Sequence, residues 1–189
     1  MKKIVLFASG NGSNVQQISE YFSTNTLVDI SMLFCNNPNA YVLQRAEKLH
    51  IPSIVFNKNM FYLSNIVYEK LLEINPDLIV LAGFLWLVPE GIINAFPKKI
   101  INIHPALLPK YGGKGMYGHH VHEAVVANKE SISGITIHYV NQHYDKGDII
   151  FQAKCPITDL DTADSVAEKI HLLEKEHFPK VIDNLLFNV

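Results

Sequence analysis

Arginine is almost missing from this 189-residue chain, in which Arg45 is the only one. A phosphate clamp built from several guanidinium forks therefore finds little support. Cysteine is nearly as scarce. Cys35 and Cys155 each lie in apolar surroundings, Leu33-Phe34-Cys35 and Ala153-Lys154-Cys155-Pro156, and read as two buried free thiols of a reducing compartment. Long hydrophobic runs are absent. The longest, Leu78 to Val88, falls short of the roughly 20 residues that span a bilayer. The opening Ile4 to Ala8 run ends too soon for a secretory core of about 7–15 residues. No excess of one charge exists either: 16 basic against 18 acidic residues give a formal −2, without a Lys/Arg run that would suit nucleic acid. A soluble, cytoplasmic protein with neither a nucleic acid nor a membrane as partner is expected.

What is present suits one packed α/β domain over residues 1–189: 48% of residues are hydrophobic and 18% charged. Strand and helix patterns alternate. Ile4 to Ala8 is a short buried strand. Ser13 or Asn14 is placed to cap a helix reaching Phe22. Strands follow at Val28 to Cys35, Ile51 to Phe56, Asp77 to Gly83 and Ile100 to Ile103, with helices expected over Ala40–Leu49, Tyr62–Ile74 and Pro89–Phe96. The run ending at Gly83 is apolar throughout, as a central parallel strand is. Residues 104–118, rich in glycine and proline, have no hydrophobic period and form a long loop of the kind that carries function. A helix at His119–Asn128, a strand pair at Ile132–Val140 and Ile149–Ile157, and a last helix from Asp161 or Thr162 towards Phe187, with a break at Pro179, complete the chain. The fold expected is a Rossmann-like, mostly parallel sheet flanked by helices, with an antiparallel addition at one edge.

Several residues carry chemistry. Ser9-Gly10-Asn11-Gly12-Ser13-Asn14 joins the first strand to its helix, where glycines and free helix N–H groups suit a phosphate-sized anion. A tight turn that binds nothing has the same pattern, and the loop is neither a P-loop nor a full dinucleotide fingerprint. Asn102 and His104 are two apart at the end of the fifth strand, so their side chains share one face. An amide donor suits a developing oxyanion, and an imidazole can pass a proton near neutral pH. Asp145, in a later turn, would orient that imidazole and favour its charged form if the two meet. No nucleophile motif competes, which favours direct transfer between two substrates. His119, His120 and His122 lack the spacing and partners of a metal site and read as a polar helix start. His138 shares a strand face with Thr136 and points either into a cleft or to an edge. Leu85-Trp86-Leu87-Val88 reads most simply as core, and otherwise as the apolar wall for a flat heterocycle.

Taken with Pro76-Asp77, Val80-Leu81-Ala82-Gly83-Phe84, the run from Asn102 to Tyr111, Gly134-Ile135-Thr136-Ile137-His138 and Asp145-Lys146-Gly147, these motifs resemble the phosphoribosylglycinamide formyltransferase family from the first strand to about residue 179. The resemblance implies transfer of the formyl group of 10-formyl-tetrahydrofolate, a cosubstrate, to the amine of 5'-phosphoribosylglycinamide in purine synthesis, by direct attack through a tetrahedral intermediate and without metal. It implies that Gly12, Ser13 and Asn14 hold the phosphate and Glu174 the glycinamide part. Asn102, His104 and Asp145 would be catalytic, and Leu85 to Val88 with Asn102, Val140, Asn141 and Tyr144 would hold the folate.

Two departures stand out. Ser64 and Asn65 occupy the region where some members place an arginine against the folate tail, and the loop Gly112–His122 is longer than the compact form. A formyltransferase for another amine, such as an amino-sugar nucleotide, and a non-catalytic nucleotide-binding module remain as alternatives. The partners expected are small molecules, and monomer or homodimer stays open.

Overall fold

The computed structural model describes residues 1–188. Its elements are β1 (Lys2–Ala8), α1 (Ser13–Phe22), β2 (Val28–Cys35), α2 (Val42–Lys48), β3 (Ser53–Val55), α3 (Lys58–Tyr62), α4 (Ile66–Ile74), β4 (Leu78–Leu81), α5 (Glu90–Ala95), β5 (Ile100–His104), α6 (His119–Ala127), β6 (Ile132–Tyr139), β7 (Ile149–Pro156) and α7 (Ala163–Phe187). The seven strands form one sheet in the order β3-β2-β1-β4-β5-β6-β7. Pairing is parallel from β3 to β5 and antiparallel at β5–β6 and β6–β7. None of the described helices is long and apolar enough to cross a membrane.

Period-two alternation sorts the strand side chains onto two faces. Ile4, Leu6, Ala8, Leu33, Val80, Ile101, Ile103, Ile135 and Ile137 pack with residues of α1, α2 and α7. Val5, Phe7, Phe34, Ile79, Leu81 and Ile100 pack with Phe61, Val67, Leu71 and Ile92 of α3, α4 and α5. Ile4–Ala8 of β1 and the whole of β4 are buried on both faces, which is why those stretches are apolar throughout. On the second face the apolar layer stops at β5. Asn102, His104, Thr136 and His138 occupy that face beyond it, paired Asn102 with His138 and His104 with Thr136. The 104–118 loop is tied over part of this polar strip: Thr136 Oγ1 accepts from the Leu108 N–H (3.0 Å) and donates to the Ala106 carbonyl (2.6 Å).

Four local expectations need correction. The helix expected over Tyr62–Ile74 begins only at Ile66, as α4, after Asn65 in the left-handed region at φ 57°, and an unexpected short helix, α3, precedes it over Lys58–Tyr62. Asn57 caps α3, its side chain accepting from the Met60 N–H at 3.0 Å. Neither Ser13 nor Asn14 caps α1; Gly12 takes that position and no side chain bonds the helix start. Pro179 does not break α7. A proline inside a helix costs about 3 kcal/mol, and burial of Phe178, Val181 and Ile182 around it offsets that cost. Both cysteines are free thiols, but only Cys35 is fully buried; Cys155 is half-buried on the edge strand β7.

Candidate active site

β1 connects to β2 on one side and β4 lies on the other, so a crevice opens beyond the carboxyl ends of β1, β4 and β5, as doubly wound sheets dictate. It encloses about 660 Å³.

At one end β1 runs into Ser9–Gly12. Gly12 has φ 79°, and a Cβ there would fall 2.3 Å from Val42 Cγ2 on α2, so the position requires glycine. Since α1 opens without a side-chain cap, its first N–H groups are left for a ligand, and the helix dipole favours an anion there. Gly10 to Asn14 line the crevice. Arg45 braces this loop from outside: Nε donates to the Asn11 carbonyl and Nη2 to Asn11 Oδ1, both at 2.9 Å, and Nη1 donates to Gln16. Asn14 turns its amide into the crevice, donating to Glu174 Oε2 at 3.1 Å. Its side chain is thus engaged away from the start of α1, where Gly12 holds the cap position. Glu174 is 8% exposed; burial pushes its carboxyl up to about 7, only partly opposed by the Asn14 bond.

At the other end lies the polar strip. His104 is 3% exposed and His138 2%. His138 Nδ1 faces the Tyr139 carbonyl at 2.8 Å and so carries the proton, which leaves Nε2 to accept from the Asn102 amide at 3.1 Å. Asn102 is thereby oriented and keeps a second N–H free. His104 Nε2–H donates to the Tyr111 carbonyl at 2.7 Å, while Nδ1 faces Asp145 Oδ1 at 3.6 Å. The same Oδ1 lies 3.6 Å from His138 Nε2, and Oδ2 accepts from the Gly113 N–H at 2.8 Å. Asp145 sits at φ 54°, a strained conformation of the kind that collects at functional sites. The turn carrying it closes because Gly147 approaches the Tyr139 carbonyl where a Cβ would lie at 1.7 Å.

Burial lowers the pKa of His104, and the opposing pull of Asp145 and the Tyr111 carbonyl does not fully offset it. Asp145 thus favours the charged imidazole as expected, but burial outweighs it. The protonated ring would nevertheless find an acceptor for each N–H, the Tyr111 carbonyl and Asp145. Burial acts to raise the Asp145 carboxyl, yet the two imidazoles, each 3.6 Å from Oδ1, and the Gly113 N–H together hold it below the usual range.

Between the two ends stands an apolar wall. Leu85, Trp86, Leu87 and Val88 line the crevice together with Val140, Asn141 and Tyr144. The segment first read as core is thus split, Val88 buried with Phe84 and Leu85 exposed. Asn141 shapes the opposing turn, accepting from the His143 N–H and donating to the Lys146 carbonyl, each at 2.9 Å.

Every site residue named from the sequence therefore lines one crevice. The histidine cluster divides: His119 and His120 lie on the surface beside Glu123, and His122 is buried against the crevice. No group of three metal-capable side chains forms among the described residues. Sequence reasoning missed the backbone partners, the Tyr111 carbonyl and Gly113 N–H, which no side-chain motif reports. It also missed the Ser9 hydroxyl, which accepts from the Leu85 N–H at 3.1 Å and links anion loop to apolar wall.

Two differently built binding arms that converge on one polar centre suit joining a donor and an acceptor, which defines the class: an α/β group-transfer enzyme. The chain belongs to the formyl transferase family, whose model matches residues 2–182. It is 38% identical over 191 residues to the phosphoribosylglycinamide formyltransferase of Bacillus subtilis (strain 168), covering 98% of this chain and 95% of that one. The crystal structure of phosphoribosylglycinamide formyltransferase from Streptococcus pneumoniae TIGR4 is similar at TM-score 0.86 and 35% identity, covering 98% and 99% of the two chains. That from Anaplasma phagocytophilum gives TM-score 0.89 at 34% identity, covering 98% and 87%.

Proposed function

We infer that this chain transfers the formyl group of 10-formyl-tetrahydrofolate to the amine of 5'-phosphoribosylglycinamide, a step of purine synthesis. The observation that carries this is the meeting of the anion seat at Gly12–Asn14, the apolar wall at Leu85–Val88 and the Asn102–His104–Asp145 group in one crevice of a formyl transferase fold. The names of the relatives favour this acceptor over an amino-sugar nucleotide and do not favour a non-catalytic module. The free thiols of Cys35 and Cys155 suit a reducing compartment and so support a cytoplasmic reaction.

In this reading the acceptor's phosphate lies on the first N–H groups of α1, Glu174 holds the part next to it, and the folate ring lies against Leu85–Val88 and the 140–145 turn. The amine attacks the formyl carbon, and negative charge builds on the formyl oxygen. The free N–H of Asn102, fixed by His138, donates to that oxygen. One proton of the attacking nitrogen passes by way of Asp145 to Nδ1 of His104, giving the imidazolium that the growing negative charge favours and whose two N–H groups face acceptors. The bond from the formyl carbon to the folate nitrogen then breaks. The amine's proton moves to that nitrogen, relayed by the His104–Asp145 pair.

The test is a spectrophotometric assay of the wild type with 10-formyl-5,8-dideazafolate and either phosphoribosylglycinamide or the same acceptor without its phosphate. Turnover with the first and a large loss of kcat/KM with the second is expected. Equal rates would remove the anion seat from the account, and no turnover would remove the acceptor.

A further inference from the structure

His122 is a cleft side chain that the reaction above leaves without a task. It projects from α6, is 4% exposed, and lines the crevice beside Ile170, His171 and Glu174 of α7. Its Nδ1 is buried and has no hydrogen-bond partner. Buried polar atoms without partners are rare, and each calls for a reason. Asn36 Oδ1 and Ser133 Oγ share this condition, but neither residue lines the crevice. His122 is the one of the three placed where a ligand can supply what the protein does not.

Its place narrows the ligand. His122 lies on the stretch of wall that holds Glu174, and His104 is close enough to act on its charge. An acceptor with its phosphate on α1 and its amine at His104 has its glycinamide arm on this stretch.

We propose that His122 is an acceptor-binding residue whose uncharged ring takes a hydrogen bond from an N–H of the glycinamide arm, aiming the amine at the formyl carbon. This rests on the formyl-transfer reading above. An uncharged acceptor suits the task, because an attacking amine needs its lone pair free, and a carboxylate in the same place would hold it as ammonium. The surroundings agree. Burial, then His171, His119 and His104, push the His122 imidazole down to about 4, and Glu174 across the same wall is pushed towards its uncharged form. Rotation of the ring about its Cβ–Cγ bond, or a shift of the glycine-rich 112–118 loop leading into α6, brings the free nitrogen to the arm.

The experiment compares wild type, His122→Phe, which fills the space without a ring nitrogen, and His122→Asn, whose amide stands near the Nδ1 position. KM for acceptor and donor, kcat and melting temperature are read for each. The proposal expects acceptor KM to rise about tenfold or more in the Phe variant, donor KM to stay within about twofold, and the melting temperature to hold or rise. The Asn variant should recover acceptor KM to within about threefold of wild type. If the Phe variant fails to fold, His122→Ala must show the same rise in acceptor KM. An unchanged acceptor KM, with only the melting temperature moved, would make His122 structural and overturn the proposal. Absence of turnover in the wild type would overturn the formyl-transfer reading instead, and this proposal with it.

Discussion

Glu174 is a carboxyl shut in on α7 with one donor, the amide of Asn14, at 3.1 Å. Its pKa is raised from 4.5 to about 7 by burial. Between those values the unfolded chain releases this proton while the folded chain keeps it, so stability is lost as pH rises through the window. Glu174→Gln has no such proton. Its melting temperature should exceed that of wild type by a few degrees at pH 8, with the difference shrinking to little at pH 4.5. A difference independent of pH would show that the carboxyl is not the cause. The same substitution should weaken acceptor binding, an exchange of function against stability. Asp145 offers a second test, because its charge is the leading influence that holds the His104 pKa up against burial. Asp145→Asn should therefore move the NMR titration midpoint of the His104 ring lower still; an unmoved or raised midpoint would contradict the pairing. Asn102 and His104 were legible in the sequence because two residues apart on a strand end means one face. His122 was not, because three histidines on a helix start look alike until packing selects the one that turns inward.

Among the elements, the β1–α1 loop and the 104–118 loop do most to shape the crevice. Gly12→Ala meets both a positive φ and Val42 at 2.3 Å, and should lose about 1–3 kcal/mol in urea unfolding. Gly10→Ala, with open space around it, should leave the unfolding midpoint nearly unchanged; equal losses at both sites would contradict this account of the turn. Thr136→Val keeps the shape but removes the oxygen that bonds Leu108, Ala106 and Gln152, and should cost about 1–3 kcal/mol. Strands and most helices were legible from hydrophobic period. The exceptions had tertiary causes: Asn65 turns the chain between α3 and α4, Asn14 serves Glu174 instead of its own helix, and packing around Phe178 carries α7 through Pro179.

At the scale of the whole molecule, the place of the crevice follows from strand order, and its chemistry from where the apolar layer ends. The parallel order on either side of β1 opens the gap, and the polar strip of β5 and β6 begins where α3, α4 and α5 no longer cover the sheet. The alternating pattern made the sheet legible, but the overlay of the 104–118 loop on that strip depends on contacts far apart in sequence. A formyl-folate analogue at a hundredfold over its Kd should stabilise the native state by about 2.7 kcal/mol, roughly 5–10 °C in melting temperature for a chain of this size. A module that binds only nucleotides would not respond to it. The most direct measurement is the single-turnover rate of formyl transfer with both substrates saturating, in wild type, Asn102→Ala and His104→Ala. The account predicts a fall of about 10²–10³ for each variant, with melting temperatures close to wild type. A folded variant that keeps a near-wild-type rate would contradict the assignment of this group as the catalytic centre.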